Sequence, residues 1–144
     1  MPGQGTPPFL SFALGAALAL ALIAALRVLR ARKGKQAQVW AVAITLASVA
    51  ALYPMRAYLT SADDSSLLHV VAAAGFALLA LLGATLAPLL LAFGLLLHAG
   101  FNFALDISLT ARGLVPHYYP PLCLAFDAAL GLWWIGALFK DRKT

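Results

Sequence analysis

His98, Asn102 and Asp106 recur at every fourth residue of the segment HAGFNFALD, and Cys123 and Asp127 repeat that spacing in CLAFD. Four residues of α-helix turn through about 400°, so the first three side chains drift by only about 80° while climbing ~12 Å. They form a polar stripe on one helix face. A histidine and a carboxylate brought together can bind or pass a proton, act as general acid and base, or contribute two ligands to a metal ion. The candidate polar site is therefore His98, Asn102, Asp106 and Asp127, with Arg56, His69, His117 and Cys123 as further contributors.

Several familiar chemistries fail on residue type or spacing. A single cysteine rules out an internal disulfide and a multi-cysteine zinc site. His98 and Asp106 lie ~12 Å apart along one helix, too far to share an ion. A smaller metal site stays open, with His98 and Asp127 as ligands and a third from His69 or His117. Bis-histidine haem is disfavoured, because His69 and His98 fall at depths that differ by roughly 9 Å. The chain has no Gly-rich phosphate loop, no Gly-x-Ser-x-Gly elbow and no His-Glu-x-x-His. No catalytic role is assigned by motif.

Composition identifies the elements that carry these residues. Apolar residues make up 63% of the 144-residue chain and charged residues 10%, too few charges to coat a water-soluble domain. Lipid is the solvent that fits. The net charge of +5 does not point to nucleic acid, because most of the positive residues sit in two short segments flanking apolar runs, as membrane topology requires.

Apolar periodicity and length predict an all-α integral membrane protein, a single bundle of five spans at about 9–29, 39–59, 66–86, 87–107 and 120–139. The first run is not read as a secretory signal, since its positive charges follow the apolar core instead of preceding it. The long apolar stretch of the third and fourth spans reads as a helical hairpin, with Gly83 and Pro88 marking its bend. Arg27, Arg30, Arg32, Lys33, Lys35, Lys140, Arg142 and Lys143 fall on one side, leaving Arg56 and Arg112 for the other. The positive-inside rule then places the N-terminus outside and the C-terminus in the cytoplasm, in a multi-pass protein of the cell (inner) membrane. Ala13, Ala17, Ala21 and Ala25 on the first span, and Ala43, Ala47 and Ala51 on the second, form small-residue stripes at the spacing that lets two helices pack closely.

Depth along the helices then places the polar residues. Counting inward from the outer ends puts Asn102 about 7 Å deep, His98 near the centre, and Asp127 about 10 Å deep, level with the gap between them. A charged Asp in mid-helix costs roughly 2.5–3.5 kcal/mol and cannot easily snorkel, so Asp127 must be protonated, paired or hydrated. The expectation is a hydrated, outward-opening pocket lined by His98, Asn102 and Asp127. Asp106 and the VPHYYP loop stand at its mouth, with Arg56 as counter-charge. Pro54 removes a backbone hydrogen bond in the second span and exposes the carbonyl of Ala50 at a similar depth. Structural readings stand beside these: Arg56 and His69 as interfacial residues, Asp106 as a helix end in water, Asn102 as interhelical glue and Cys123 as a small packing residue.

The stretches GLLLHAGFNFALD and GLVPHYYPPLCLAFDAALGLWW resemble an uncharacterised family of small bacterial multi-span integral membrane proteins. In that family a helix carrying His-x-x-x-Asp-x-x-x-His is followed by a Val-Pro loop and a final helix with Cys-x-x-x-Asp. The likeness covers roughly the last 50 residues, with His98, Val115, Pro116, Cys123 and Asp127 on the pattern. Asn102 stands where the family has Asp, and Asp106 where it has His. The resemblance implies a shared site and brings no activity with it.

Three function classes remain. One is a membrane protein whose outward-facing polar site binds or passes a proton, a metal ion or a small polar solute. Another is an intramembrane enzyme acting on a lipid or isoprenoid, with His98 and Asp127 as acid and base. The last is an accessory subunit of a larger membrane complex. The partners implied are the lipid bilayer and either further copies of the chain or a larger assembly.

Overall fold

The computed structural model describes residues 7–59, 66–107 and 118–141. Five helices follow one another: α1 (Pro8–Lys33), α2 (Lys35–Leu59), α3 (Ser66–Thr85), α4 (Leu89–Ile107) and α5 (Tyr119–Asp141). Each apolar segment of the sequence becomes one helix. Four are long and apolar enough to cross a membrane, and α4 is apolar but shorter, its apolar part covering Leu89–Ala104.

The largest departure from the expected boundaries is between the first two spans, where both helices extend beyond the apolar runs until only Gly34 separates them. Arg, Lys and Gln are good helix formers in water, so hydrogen bonding continues past the hydrophobic limit. Gly34 makes the reversal possible with φ 85°, and its N–H closes α1 by donating to Arg30 O at 2.9 Å. A side chain is disfavoured at that backbone angle.

The α3–α4 hairpin turns through 86–88, with Leu86 N–H donating to Leu82 O at 2.8 Å and Leu91 N–H to Pro88 O at 3.2 Å. Pro88 marks the bend as expected, but Gly83 does not. Gly83 is buried inside α3, where a Cβ would come within 2.6 Å of Leu91 Cδ2. Its role is close approach of the two arms. Trp134 on α5 donates its indole N–H to Pro88 O at 2.8 Å, tying the last helix to the turn.

α5 packs mainly against α1 and α4, while α2 packs mainly against α3. The α1 stripe therefore fails as an α1–α2 seam, although Ala43 of the α2 stripe is buried in the core. Ala13, Ala17, Ala21 and Ala25 are all exposed, and the buried face of α1 is Ser11, Gly15, Ala19, Ile23 and Leu26. That face is offset by two residues, and it too is small at its N-terminal end. At Gly15 a Cβ would overlap the carbonyl oxygen of Leu122 and lie 2.9 Å from its carbon, so the missing side chain lets α1 contact the backbone of α5.

Leu26, Val42, Leu46, Leu91, Leu95, Leu130 and Trp134 form the centre of the core. Phe9, Leu20, Ile44, Leu67, Val71, Leu81, Phe93 and Leu132 project outward, each more than half exposed. An apolar belt of this kind is the surface of a helical bundle solvated by lipid.

Candidate functional site

α4 turns His98 and Asn102 inward on one face, and α5 brings Asp127 against both. His98 Nδ1 lies 2.6 Å from Asp127 Oδ2, and Asn102 Nδ2 donates to the same oxygen at 3.2 Å. His98 is 1% exposed, Asn102 0% and Asp127 0%. The stripe and the carboxylate form one closed cluster. Instead of lining an open hydrated pocket, as expected, the three are enclosed by packed helices.

Small residues nearby make this approach possible. Gly131, one turn after Asp127, is buried against Leu96 and Leu95, and an added Cβ would lie 3.1 Å from Leu96 Cδ2. Around the imidazole the walls are aromatic: Phe76 of α3 meets it edge-on at 4.8 Å between centroids, and Phe101 of α4 lies nearly parallel at 6.4 Å. Phe76 and Phe101 were missed by sequence reasoning, which looked for polar partners. The available signal was Phe101 beside Asn102 in the HAGFNF segment.

In an apolar interior the carboxylate of Asp127 is sustained by its partners, because an unpaired charge there costs several kcal/mol. Asn102 Nδ2 also lies 3.3 Å from His98 Nδ1, and where Nδ1 carries the proton shared with Asp127 the second ring nitrogen is left to its own partners. His98 Nε2 is an acceptor when the ring is neutral and a donor once it takes another proton. Nε2 is buried and has no hydrogen-bond partner among the described residues, as is also true of Asp127 Oδ1 and Asn102 Oδ1.

Among the other candidates, Cys123 is buried one helical turn before Asp127. His69 is also buried, its ring 6.4 Å from that of Phe101. The backbones of Arg56 and Asp106 belong to α2 and α4, but their side chains, like all of His117, lie outside the described residues. The counter-charge role of Arg56 and the place of Asp106 at the mouth fall there too. Among the described residues, no three His, Cys, Asp or Glu side chains gather around one point.

At the opposite end of the bundle, sequence reasoning overlooked Asp141. Arg30 of α1 reaches it with two hydrogen bonds of 3.0 and 2.8 Å, and Lys35 of α2 adds an ion pair at 3.0 Å. One carboxylate therefore joins α1, α2 and α5. Read along the chain, it is a lone acid among Lys140, Arg142 and Lys143.

No family model, curated protein or solved structure matches the chain.

Proposed function

We propose that this multi-pass membrane protein binds and passes a proton at the His98–Asp127 pair. The observation that carries this reading is the 2.6 Å contact between two ionisable groups that are both buried in a lipid-solvated bundle. Ionisable residues inside a membrane are expensive, and proton relays are among the functions they serve. Binding a proton needs only these two groups, whereas a metal ion or a polar solute needs further ligands or an open cavity.

The orientation that suits this role places the N-terminus outside. Arg27, Arg30, Lys35 and Lys140 then lie at the cytoplasmic end of the inner membrane, as the positive-inside rule requires. Asp127 is eight residues from the start of α5 and fourteen from its end, or about 12 Å and about 21 Å. The proton site thus lies in the outer half of the protein.

The test is proton flux into liposomes carrying a pH-sensitive dye, with the full chain reconstituted and a potassium gradient setting the voltage. Wild type conducts above empty liposomes, and Asp127→Asn lowers the flux about tenfold or more while leaving reconstitution intact. Equal flux from the two proteins removes Asp127 from the path.

A second reading rests on a separate observation. An apolar groove of about 590 Å³ runs between α3 and α4, and Phe76 and Phe101, which touch His98, form part of its wall. A lipid or isoprenoid chain in this groove would lie one aromatic ring away from an acid–base pair. An intramembrane enzyme of this kind changes a co-purifying lipid chemically, and mass spectra of lipids extracted from wild type and Asp127→Asn distinguish the two readings.

A further inference from the structure

The basic end of the bundle contains a cavity of about 580 Å³ between α1 and α5. Arg27 and Arg30 line it from α1, Trp133 and Lys140 from α5, and Gln38 from α2. Asp141 is also at its edge, but that carboxylate is engaged by Arg30 and Lys35. Arg27 and Lys140 make no ion pair with another described residue. Three cations against one carboxylate leave the lining with an excess of two positive charges.

Depth fixes what such a cavity meets. Arg27 lies six residues before the end of α1, and Trp133 eight before the end of α5, or about 9 Å and about 12 Å inward. This is the level at which hydrocarbon gives way to headgroups, where tryptophan and snorkelling arginine or lysine side chains settle. Gly136 adds open space, with nothing within 4 Å of where its Cβ would be. A basic pocket between helices at this level fits an anionic lipid headgroup.

Gln38 narrows the choice further. It is 1% exposed, its amide N–H donates to Leu26 O at 3.2 Å, and its Oε1 has no hydrogen-bond partner among the described residues. A buried acceptor in a basic cavity calls for a ligand that brings a donor along with its negative charge. A phosphodiester alone satisfies Arg27 and Lys140 and leaves Oε1 unpaired. A zwitterionic amine headgroup supplies a donor but sets its own positive charge against the lining cations.

We propose that this cavity binds an anionic glycerophospholipid whose headgroup carries a free hydroxyl, with the phosphodiester on Arg27 and Lys140 and the hydroxyl donating to Gln38 Oε1. Asp141 sets the floor of the site by holding Arg30 and Lys35 away from the phosphate. The inference requires that the helices span a bilayer and is independent of proton chemistry at His98 and Asp127.

Thermal unfolding of the full chain in neutral detergent tests it, with phosphatidylglycerol, phosphatidylmethanol, phosphatidylcholine or glycerol 3-phosphate added at equal concentration. Phosphatidylglycerol raises the midpoint above the phosphatidylcholine value by about 3 °C or more. Phosphatidylmethanol, an anionic phosphodiester with no hydroxyl, gives a smaller rise, and glycerol 3-phosphate gives none. In the double variant Arg27→Gln/Lys140→Gln, whose substituted side chains are exposed and so do not disturb the core, the phosphatidylglycerol increment disappears. The proposal is overturned if phosphatidylcholine equals phosphatidylglycerol, or if the increment survives in the double variant. Equal shifts from phosphatidylmethanol and phosphatidylglycerol contradict the hydroxyl contact, and a full shift from glycerol 3-phosphate reassigns the site to a soluble anion.

Discussion

His98, Asn102 and Asp127 show how far a residue pattern can be read. The four-residue spacing put His98 and Asn102 on one face, and counting along two helices set Asp127 at their level. Contact follows because a carboxylate in hydrocarbon must find partners, and these are the polar groups at its depth. The closure of the site was not legible, since it depends on Phe76 and Phe101, whose aromatic character fits lipid or core equally well. Removing one member of the pair should be far more harmful than removing both. His98→Leu leaves Asp127 without its main partner and is expected to lose about 3–5 kcal/mol, whereas His98→Leu/Asp127→Leu stays within about 1 kcal/mol of wild type. Unfolding in mixed micelles measures both, and an additive double variant contradicts the coupling. Asn102→Ala removes a supporting hydrogen bond worth about 0.6–1.7 kcal/mol by the same assay.

The helices themselves were readable from length and hydrophobicity, but their neighbours were not. Alanine is so frequent that the stripe on α1 arises on a face that points outward, while Ala43 of the α2 stripe is buried and the closest approach of α1 to α5 is made at a single glycine. At Gly15 an added Cβ meets backbone of α5, which cannot rotate away as a side chain can. Gly15→Ala should therefore cost about 1–3 kcal/mol despite the better helix propensity of alanine. Gly136→Ala, where nothing lies within 4 Å, should be neutral or slightly stabilising. Comparable melting temperatures for the two would show that α1 and α5 are not in close contact. Asp141 is a lone acid in a basic tail that becomes a three-helix junction only where the C-terminal ends of α1 and α5 meet the start of α2. Asp141→Asn is predicted to lower stability by about 1 kcal/mol at low salt, and by less at high salt, where ion pairs near the surface are screened.

At the scale of the whole molecule, two chemically different ends share one bundle: a basic end tied by Asp141 and a buried histidine–aspartate cluster nearer the other. Charge bias predicts that a reporter fused after Thr144 is active in the cytoplasm and one placed before Met1 is active outside. A reporter after Thr144 active only outside would invert the assignment of the two ends. The central claim concerns the proton at the cluster, and pH-induced infrared difference spectra of the chain in lipid nanodiscs address it most directly, using carbon-labelled aspartate and nitrogen-labelled histidine. The account predicts that the Asp127 carboxyl band and a His98 ring band change together in one titration step, since coupled groups share their protons, and that both changes vanish in Asp127→Asn. Two independent steps, or a histidine band that titrates unchanged in Asp127→Asn, would contradict a shared proton between them.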